Sequence, residues 1–167
     1  DNLSNDGMSW GQAWASMTFT LNQVTRGDTI YVDGNGGDNE YYEHVFITKN
    51  DLYIKGTDRL GGGGVPILKY GSWYGTSPII GFDVQADNIT IRNFKIQDYI
   101  ANSDGNDFAN DGGIGVFVFN ETSGHIFDSL DIDNCTWGVY INEGAVTQVL
   151  NSNIDLNNAG EVGGADR

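Results

Sequence analysis

Asn88-Ile89-Thr90-Ile91-Arg92-Asn93-Phe94-Lys95-Ile96 is the stretch on which the reading of the chain turns, because its last six residues recur. Ile91-Arg92-Asn93-Phe94-Lys95-Ile96 aligns with Phe127-Asp128-Ser129-Leu130-Asp131-Ile132 and with Val149-Leu150-Asn151-Ser152-Asn153-Ile154. An apolar residue opens each copy, Asn or Ser stands in the middle, and Ile closes it. The last two copies start 22 residues apart. That period suggests one turn of a solenoid, in which each repeat buries its apolar side by stacking on a neighbour.

Working outward, the strands follow from short apolar runs between polar turns. Gly27 to Val32, Tyr41 to Ile47 and Leu52 to Gly56 make three strands in 30 residues, as in one three-sided coil. Ile54 and Ile91 are 37 residues apart, and Ile91 and Phe127 are 36 apart. Each of those coils therefore carries an insertion, placed near residues 57–75 and 102–113. Pro78 to Val84 and Gly115 to Phe119 return to strand, and Trp137 to Ile141 repeats the glycine-bearing strand of the preceding coil. Residues 1–26 read as a cap. Ser9 is the expected N-cap of a helix from about Trp10 to Val24, with Trp10, Trp14, Met17, Leu21 and Val24 on one face.

Composition narrows the class. The 167 residues include 24 Gly and 2 Pro, with 18 Asn and 18 Asp against 5 Glu. Asn, Asp and Gly suit tight turns, whereas a helical surface would favour Glu. Twenty aromatic residues (8 Phe, 8 Tyr, 4 Trp) are too much buriable surface for a disordered chain. A net charge of −15 argues against nucleic acid and anionic membranes, and it suits Ca²⁺, which takes carboxylate and carbonyl ligands. No apolar run is long enough for membrane insertion. A single cysteine, Cys135, allows no internal disulfide and is expected to pack between coils. The sequence starts at Asp1 with no signal peptide, as in a processed protein or a fragment of a longer chain.

Three segments carry a family resemblance: N-D-G-M-S-W-G-Q-A-W (5–14), L-N-Q-V-T-R-G-D-T-I-Y-V (21–32) and Y-Y-E-H-V-F-I (41–47). Together with the repeats they resemble right-handed parallel β-helix proteins of the pectate-lyase-like superfamily. The resemblance implies an all-β domain over residues 1–167. It would be a right-handed parallel β-helix of about four to five coils (27–167) with an N-terminal capping α-helix. It also implies an extracellular or cell-surface location, with a polysaccharide or glycan as partner. The short strand that the family places before residue 1 is absent here. No catalytic motif of the family stands on the repeat positions, so no catalytic role is carried over.

The repeats place side chains in columns. With Ile96, Ile132 and Ile154 facing inward, Lys95, Asp131 and Asn153 form one outward column, and Gln97, Asp133 and Asp155 form another. Asp131, Asp133 and Asp155 are the candidate acids, and Lys95 and Arg92 the candidate bases. Paired carboxylates serve glycoside hydrolysis, or bind Ca²⁺ for a lyase that also uses a Lys or Arg base. A solvated face on an acidic protein is the alternative. Asn102, Asp104 and Asn106 alternate like an EF-hand opening, but Asp107 and Gly113 replace its required Gly and Glu. A looser Ca²⁺ site through Asp104, Asp107 and Asp111 is left. Trp73, Tyr74, Trp137 and Tyr140 are candidates for stacking on sugar rings, with core packing as the alternative. His44 and His125 have no ligand spacing and read as structural. Sequons stand at Asn2, Asn88, Asn120 and Asn134, and Asn88 and Asn134 fall at coil turns, where Asn has structural uses.

Two functions are expected from this. One is an extracellular carbohydrate-active domain that binds, and in an enzyme would cleave, polysaccharide as a lyase or glycoside hydrolase. The other is a structural or adhesive surface protein without catalysis, assembling into filaments through the open end of its helix.

Overall fold

A computed structural model describes residues 5–34, 40–61, 64–71, 79–100 and 113–155, and the backbone of 160–164. The chain visits two sheets alternately. Its first pass lays down β1 (Thr29–Asp33), β2 (Glu40–Tyr42) and β3 (Val45–Ile47); its second, β4 (Tyr53–Thr57), β5 (Ile67–Lys69) and β6 (Ile80–Val84). The third and fourth are β7 (Thr90–Gln97) with β8 (Ile114–Val118), and β9 (His125–Asp133) with β10 (Trp137–Ile141). The last is β11 (Thr147–Leu150), β12 (Asn153–Asp155) and β13 (Gly160–Gly164). In the first sheet, one half reads β1-β4-β7-β9-β11 and the other β2-β5-β7-β9-β12; the second sheet reads β3-β6-β8-β10-β13. Every pair is parallel.

The registers match the sequence alignment. Ile54, Ile91, Phe127 and Val149 are successive partners, as are Ile96, Ile132 and Ile154. In the second sheet Ile114 faces Trp137 and Val116 faces Val139.

The middle residue of each repeat explains its odd spacing. In a regular strand, residues five apart point to opposite faces. Yet Ile91, Phe94 and Ile96 are all buried, as are Phe127, Leu130 and Ile132. Asn93, Ser129 and Asn151 have φ of 63°, 56° and 48°, in the left-handed region. One such residue shifts the in–out alternation by a step, so both strand halves face the core. Asn and Ser suit the position because their side chains bond nearby backbone or polar groups. Asn93 Nδ2 donates to Gly56 O (2.9 Å), while Ser129 Oγ and Asn151 Nδ2 each donate to Asp128 Oδ1 (3.0 Å).

Three expectations need correction. The helix over 10–24 is broken into a 3₁₀ turn, Trp10–Gln12, and a short α1, Met17–Gln23, with extended backbone at Ala13 between them. Ser9 makes no side-chain cap; Ser16 does, accepting from Phe19 N (3.1 Å). The break has a tertiary cause. The buried Glu43 carboxylate accepts from Met17 N (2.9 Å) and Thr18 N (2.8 Å), and Lys49 Nζ donates to Val24 O (2.6 Å), so the first pass supplies both end groups of α1. Next, the single strand expected over 41–47 is two strands in different sheets, turned at Glu43-His44. Finally, the 57–75 insertion contains a sheet strand, β5. Twelve residues separate Lys55 from Ile67, where three separate their partners Arg92 and Lys95, so the added residues lie between β4 and β5.

One apolar cluster runs from Met17 and Leu21 of α1 through both sheets to Val139, and Phe82 meets Phe94 edge-on across it at 5.3 Å. Gly81, Gly115 and Gly138 stack in the second sheet; a Cβ on Gly115 would lie 2.7 Å from Gly138 O and 2.8 Å from the Ile132 side chain. The core column Leu52, Ile89, His125, Thr147 turns polar toward the last pass. His125 is 1 % exposed, its Nδ1 accepts from Ile89 N (3.4 Å), and its Nε2 has no hydrogen-bond partner among the described residues. Burial lowers its pKa, with the Asp87 charge opposing. No helix of the described residues is long and apolar enough to cross a membrane.

Two predictions follow from this packing. Asn93→Gly should keep urea stability within about 1 kcal/mol, whereas Asn93→Val, strained at positive φ and unable to bond Gly56 O, should lose about 2 kcal/mol or more. Equal stability of the two variants would refute the parity role of Asn93. His125 is held neutral, so its folded pKa is depressed and its contribution is lost as pH falls below the unfolded value of about 6.5. His125→Leu should therefore lose less stability than wild type between pH 7 and 5, as read by denaturant melts at each pH.

Candidate functional site

The outer face of the first sheet holds the predicted columns. Its first half aligns Tyr31, Lys55, Arg92 and Asp128. Its second half aligns Ile67, Lys95, Asp131 and Asn153 in one column and Lys69, Gln97, Asp133 and Asp155 in the next. Strand neighbours lie about 4.8 Å apart, so each side chain reaches the one above it. Arg92 Nε is 3.0 Å from Asp128 Oδ2, and Lys95 Nζ is 4.0 Å from Asp131 Oδ2. Asn153 Nδ2 donates to Asp131 Oδ1 (2.9 Å). Lys69 Nζ lies 3.1 Å from Glu40 Oε1 and 3.4 Å from Asp98 Oδ2. Four of the eight Lys and Arg residues (Lys55, Lys69, Arg92, Lys95) stand on the second and third passes, and acids occupy the next two.

At Glu40, Lys69, Arg92, Asp98 and Asp128 the contacts favour the charged form. The hydrogen bond from Asn151, then that from Ser129 and the Arg92 charge, lower the Asp128 pKa against the effect of burial. Arg92 is raised, first by its hydrogen bond with Tyr53 and then by Asp128. Burial pushes Asp98 up, but bonds from Asn134 and Gln97 and the Lys69 charge outweigh it and leave the carboxyl below its ordinary range. The Tyr42 hydroxyl and then Lys69 lower Glu40, and Glu40 in turn raises Lys69.

The sequence candidates separate in space. Arg92, Lys95, Asp131, Asp133 and Asp155 share this face. Trp137 and Tyr140 are on the second sheet, half-buried and edge-on to each other at 5.7 Å, against Ile80, Ile114 and Phe117. Trp73, Tyr74, Asp104, Asp107, Asp111 and Asn2 lie outside the described residues. Among the described residues no three His, Cys, Asp or Glu side chains are grouped to hold a metal ion. Asn88 and Asn134 are exposed at turns with φ of 57° and 52°, and their amides donate to Asp51 and Asp98. Asn120 is exposed in a turn. Cys135 is buried, which pushes its thiol pKa up to about 12.

Sequence reasoning passed over Asp128, although it occupies the same repeat position as Arg92. It also passed over Lys55, Lys69 and Asp98. The interrupted β4–β5 spacing hid Lys69, and Asp98 lies just past the repeat. His44, read as structural, has Nε2 3.4 Å from Asp83 Oδ2, and Gln85 Nε2 also donates to the buried Asp83. No family model matches the sequence, and no curated protein or solved structure is significantly similar to it.

The depressed carboxylates set the acid limb of stability. Glu40, Asp98 and Asp128 stabilise the fold fully above their unfolded values of about 4, and that contribution is lost as pH falls through their lower folded values. Asp128→Asn should flatten the loss of thermal stability between pH 5 and 2. An unchanged slope would show that Asp128 is not held by Asn151 and Arg92 in solution.

Proposed function

We propose that the chain is a right-handed parallel β-helix of the pectate-lyase-like type and acts outside the cell as a polysaccharide-binding domain. The observation that carries the reading is the ladder of charged side chains on the outer face of the first sheet. Arg92 and Lys95 stand beside Asp128 and Asp131 at strand spacing, Lys55 lies beside Arg92, and Lys69 lies beside Gln97. Cations there would meet the carboxylates of an acidic polysaccharide, and the neighbouring Asp and Asn side chains would accept and donate to its hydroxyls. Two all-parallel sheets visited in turn support the β-helix.

Glu40, Asp98 and Asp128 are poorly suited to serve as the general acid of a glycoside hydrolase. A general acid has to hold its proton at the working pH, which calls for a raised carboxyl. The resolved carboxyl shifts on this face, at Glu40, Asp98 and Asp128, are all downward. Affinity electrophoresis against polygalacturonate, alginate and neutral xylan tests the reading. Retention by an acidic polymer, weakened about tenfold in an Arg92→Ala, Lys95→Ala double variant and by added salt, is expected. Lack of retention by every polymer, with or without Ca²⁺, would sink it.

A further inference from the structure

The outer face of the second sheet carries a cluster of another kind. Phe46, Asp83, Phe117 and Tyr140 are successive partners across β3, β6, β8 and β10. Their strand neighbours Val45, Ile47, Phe82, Val84, Val116 and Val118 lie in the core, so this column points outward. The ladder continues past the strand ends. Gln85 N donates to Ile47 O and Phe119 N to Val84 O (both 2.9 Å), which sets Gln85 and Phe119 side by side in the next outward column. Phe46 and Phe119 are 45 % and 41 % exposed, whereas Asp83 is 5 % exposed. His44 meets Phe46 edge-on, and Phe117 meets Phe119 edge-on, both at 6.3 Å. The cluster is not at an open edge. On the β3 side α1 packs against it, with Thr18 Oγ1 donating to His44 O (3.3 Å), and β8 and β10 continue the sheet on the other.

The Asp83 carboxylate is short of positive charge. Gln85 Nε2 donates to Oδ1 (3.1 Å) and lies 3.3 Å from Oδ2, and His44 Nε2 is 3.4 Å from Oδ2. Among the described residues no Lys or Arg nitrogen comes within 4.0 Å of it. Lys49, just past β3, is committed to Asn22 O (3.1 Å) and Val24 O (2.6 Å). A carboxylate taken out of water without a full counter-charge is costly, and a cation brought beside it offsets part of that cost. Two passes of about 4.8 Å and two residues of about 3.3 Å set Phe46 and Phe119 roughly 12 Å apart. The point midway between them lies over Asp83 and Gln85, about 6 Å from each ring, which is the reach of a cation–π contact. We infer that this face binds a quaternary ammonium ion of the choline type. Its charge would lie above the Asp83 carboxylate and its methyl groups against Phe46 and Phe119. Each feature selects against another ligand. Gln85 and His44 take three of the roughly four lone-pair positions of the carboxylate, which leaves little for a primary ammonium or a sugar hydroxyl; a trimethylammonium group donates no hydrogen bond. The net charge of −15 concentrates cations and opposes a ligand that also carries phosphate. This face is on the other sheet from the charged ladder and would bind independently of it.

Titration of the full chain with choline chloride at constant ionic strength, followed by NMR, tests the site. The ring signals of Phe46 and Phe119 and the side-chain amide of Gln85 should shift and saturate with a Kd of about 1 mM or tighter. The neutral isostere 3,3-dimethylbutanol and the primary amine ethanolamine should each bind about tenfold more weakly or worse. Asp83→Asn should weaken choline about tenfold, and the exposed Phe46→Leu about threefold, with the melting transition retained. The comparison of choline with its isostere makes the test on the wild-type chain if Asp83→Asn does not fold. No saturable shift by about 50 mM choline overturns the proposal. Equal binding of dimethylbutanol would leave only an apolar patch, and tighter binding of ethanolamine a primary-amine site; either overturns it. Tighter binding of phosphocholine, or the same shifts produced by xylohexaose and not by choline, overturns it equally.

Discussion

A single left-handed residue in the middle of each long strand is the constraint on which the rest depends. Without Asn93 or Ser129 at positive φ, regular alternation would turn one half of β7 or β9 outward. Ile96 or Ile132 would then leave the core and Lys95 or Asp131 would enter it. With the left-handed residue, both halves of the strand face one core; β7 and β9 pair with each other along their length, and each pairs with two short strands on its other side, β4 and β5 or β11 and β12. A buried ammonium or carboxylate without a partner costs several kcal/mol, so the parity of these strands is strongly specified.

The same stacking creates the charged face. Parallel strands in register set equivalent residues side by side, so each sequence column becomes a row of neighbours. Arg92 over Asp128 and Lys95 over Asp131 follow from that register and need no special loop. Asn153 extends the Lys95–Asp131 row to the last pass and bonds Asp131, and Asn151, next to Leu150, the strand partner of Asp128, donates to Asp128.

The two ends of the stack differ. Toward the last pass, the core column that begins Leu52 and Ile89 ends in His125 and Thr147, and Val149 and Ile154 are only partly buried. At the first pass, α1 closes over the core with Met17 and Leu21 and is held by Glu43 and Lys49, groups from outside the helix.

The sequence by itself determined the repeat, its register and the outward columns, because an apolar pattern at a fixed period records which residues share one core. It placed Ile54, Ile91, Phe127 and Val149 in line without any coordinates. It did not determine where Tyr41 to Ile47 turns from one sheet to the other, since both halves alternate alike and the corner at Glu43-His44 has no glycine or proline. Nor did it reveal β5, whose three residues carry too short a pattern to be told from a loop. The break in the cap was decided by tertiary contacts, because Glu43 and Lys49 meet α1 only after the first pass has folded beside it.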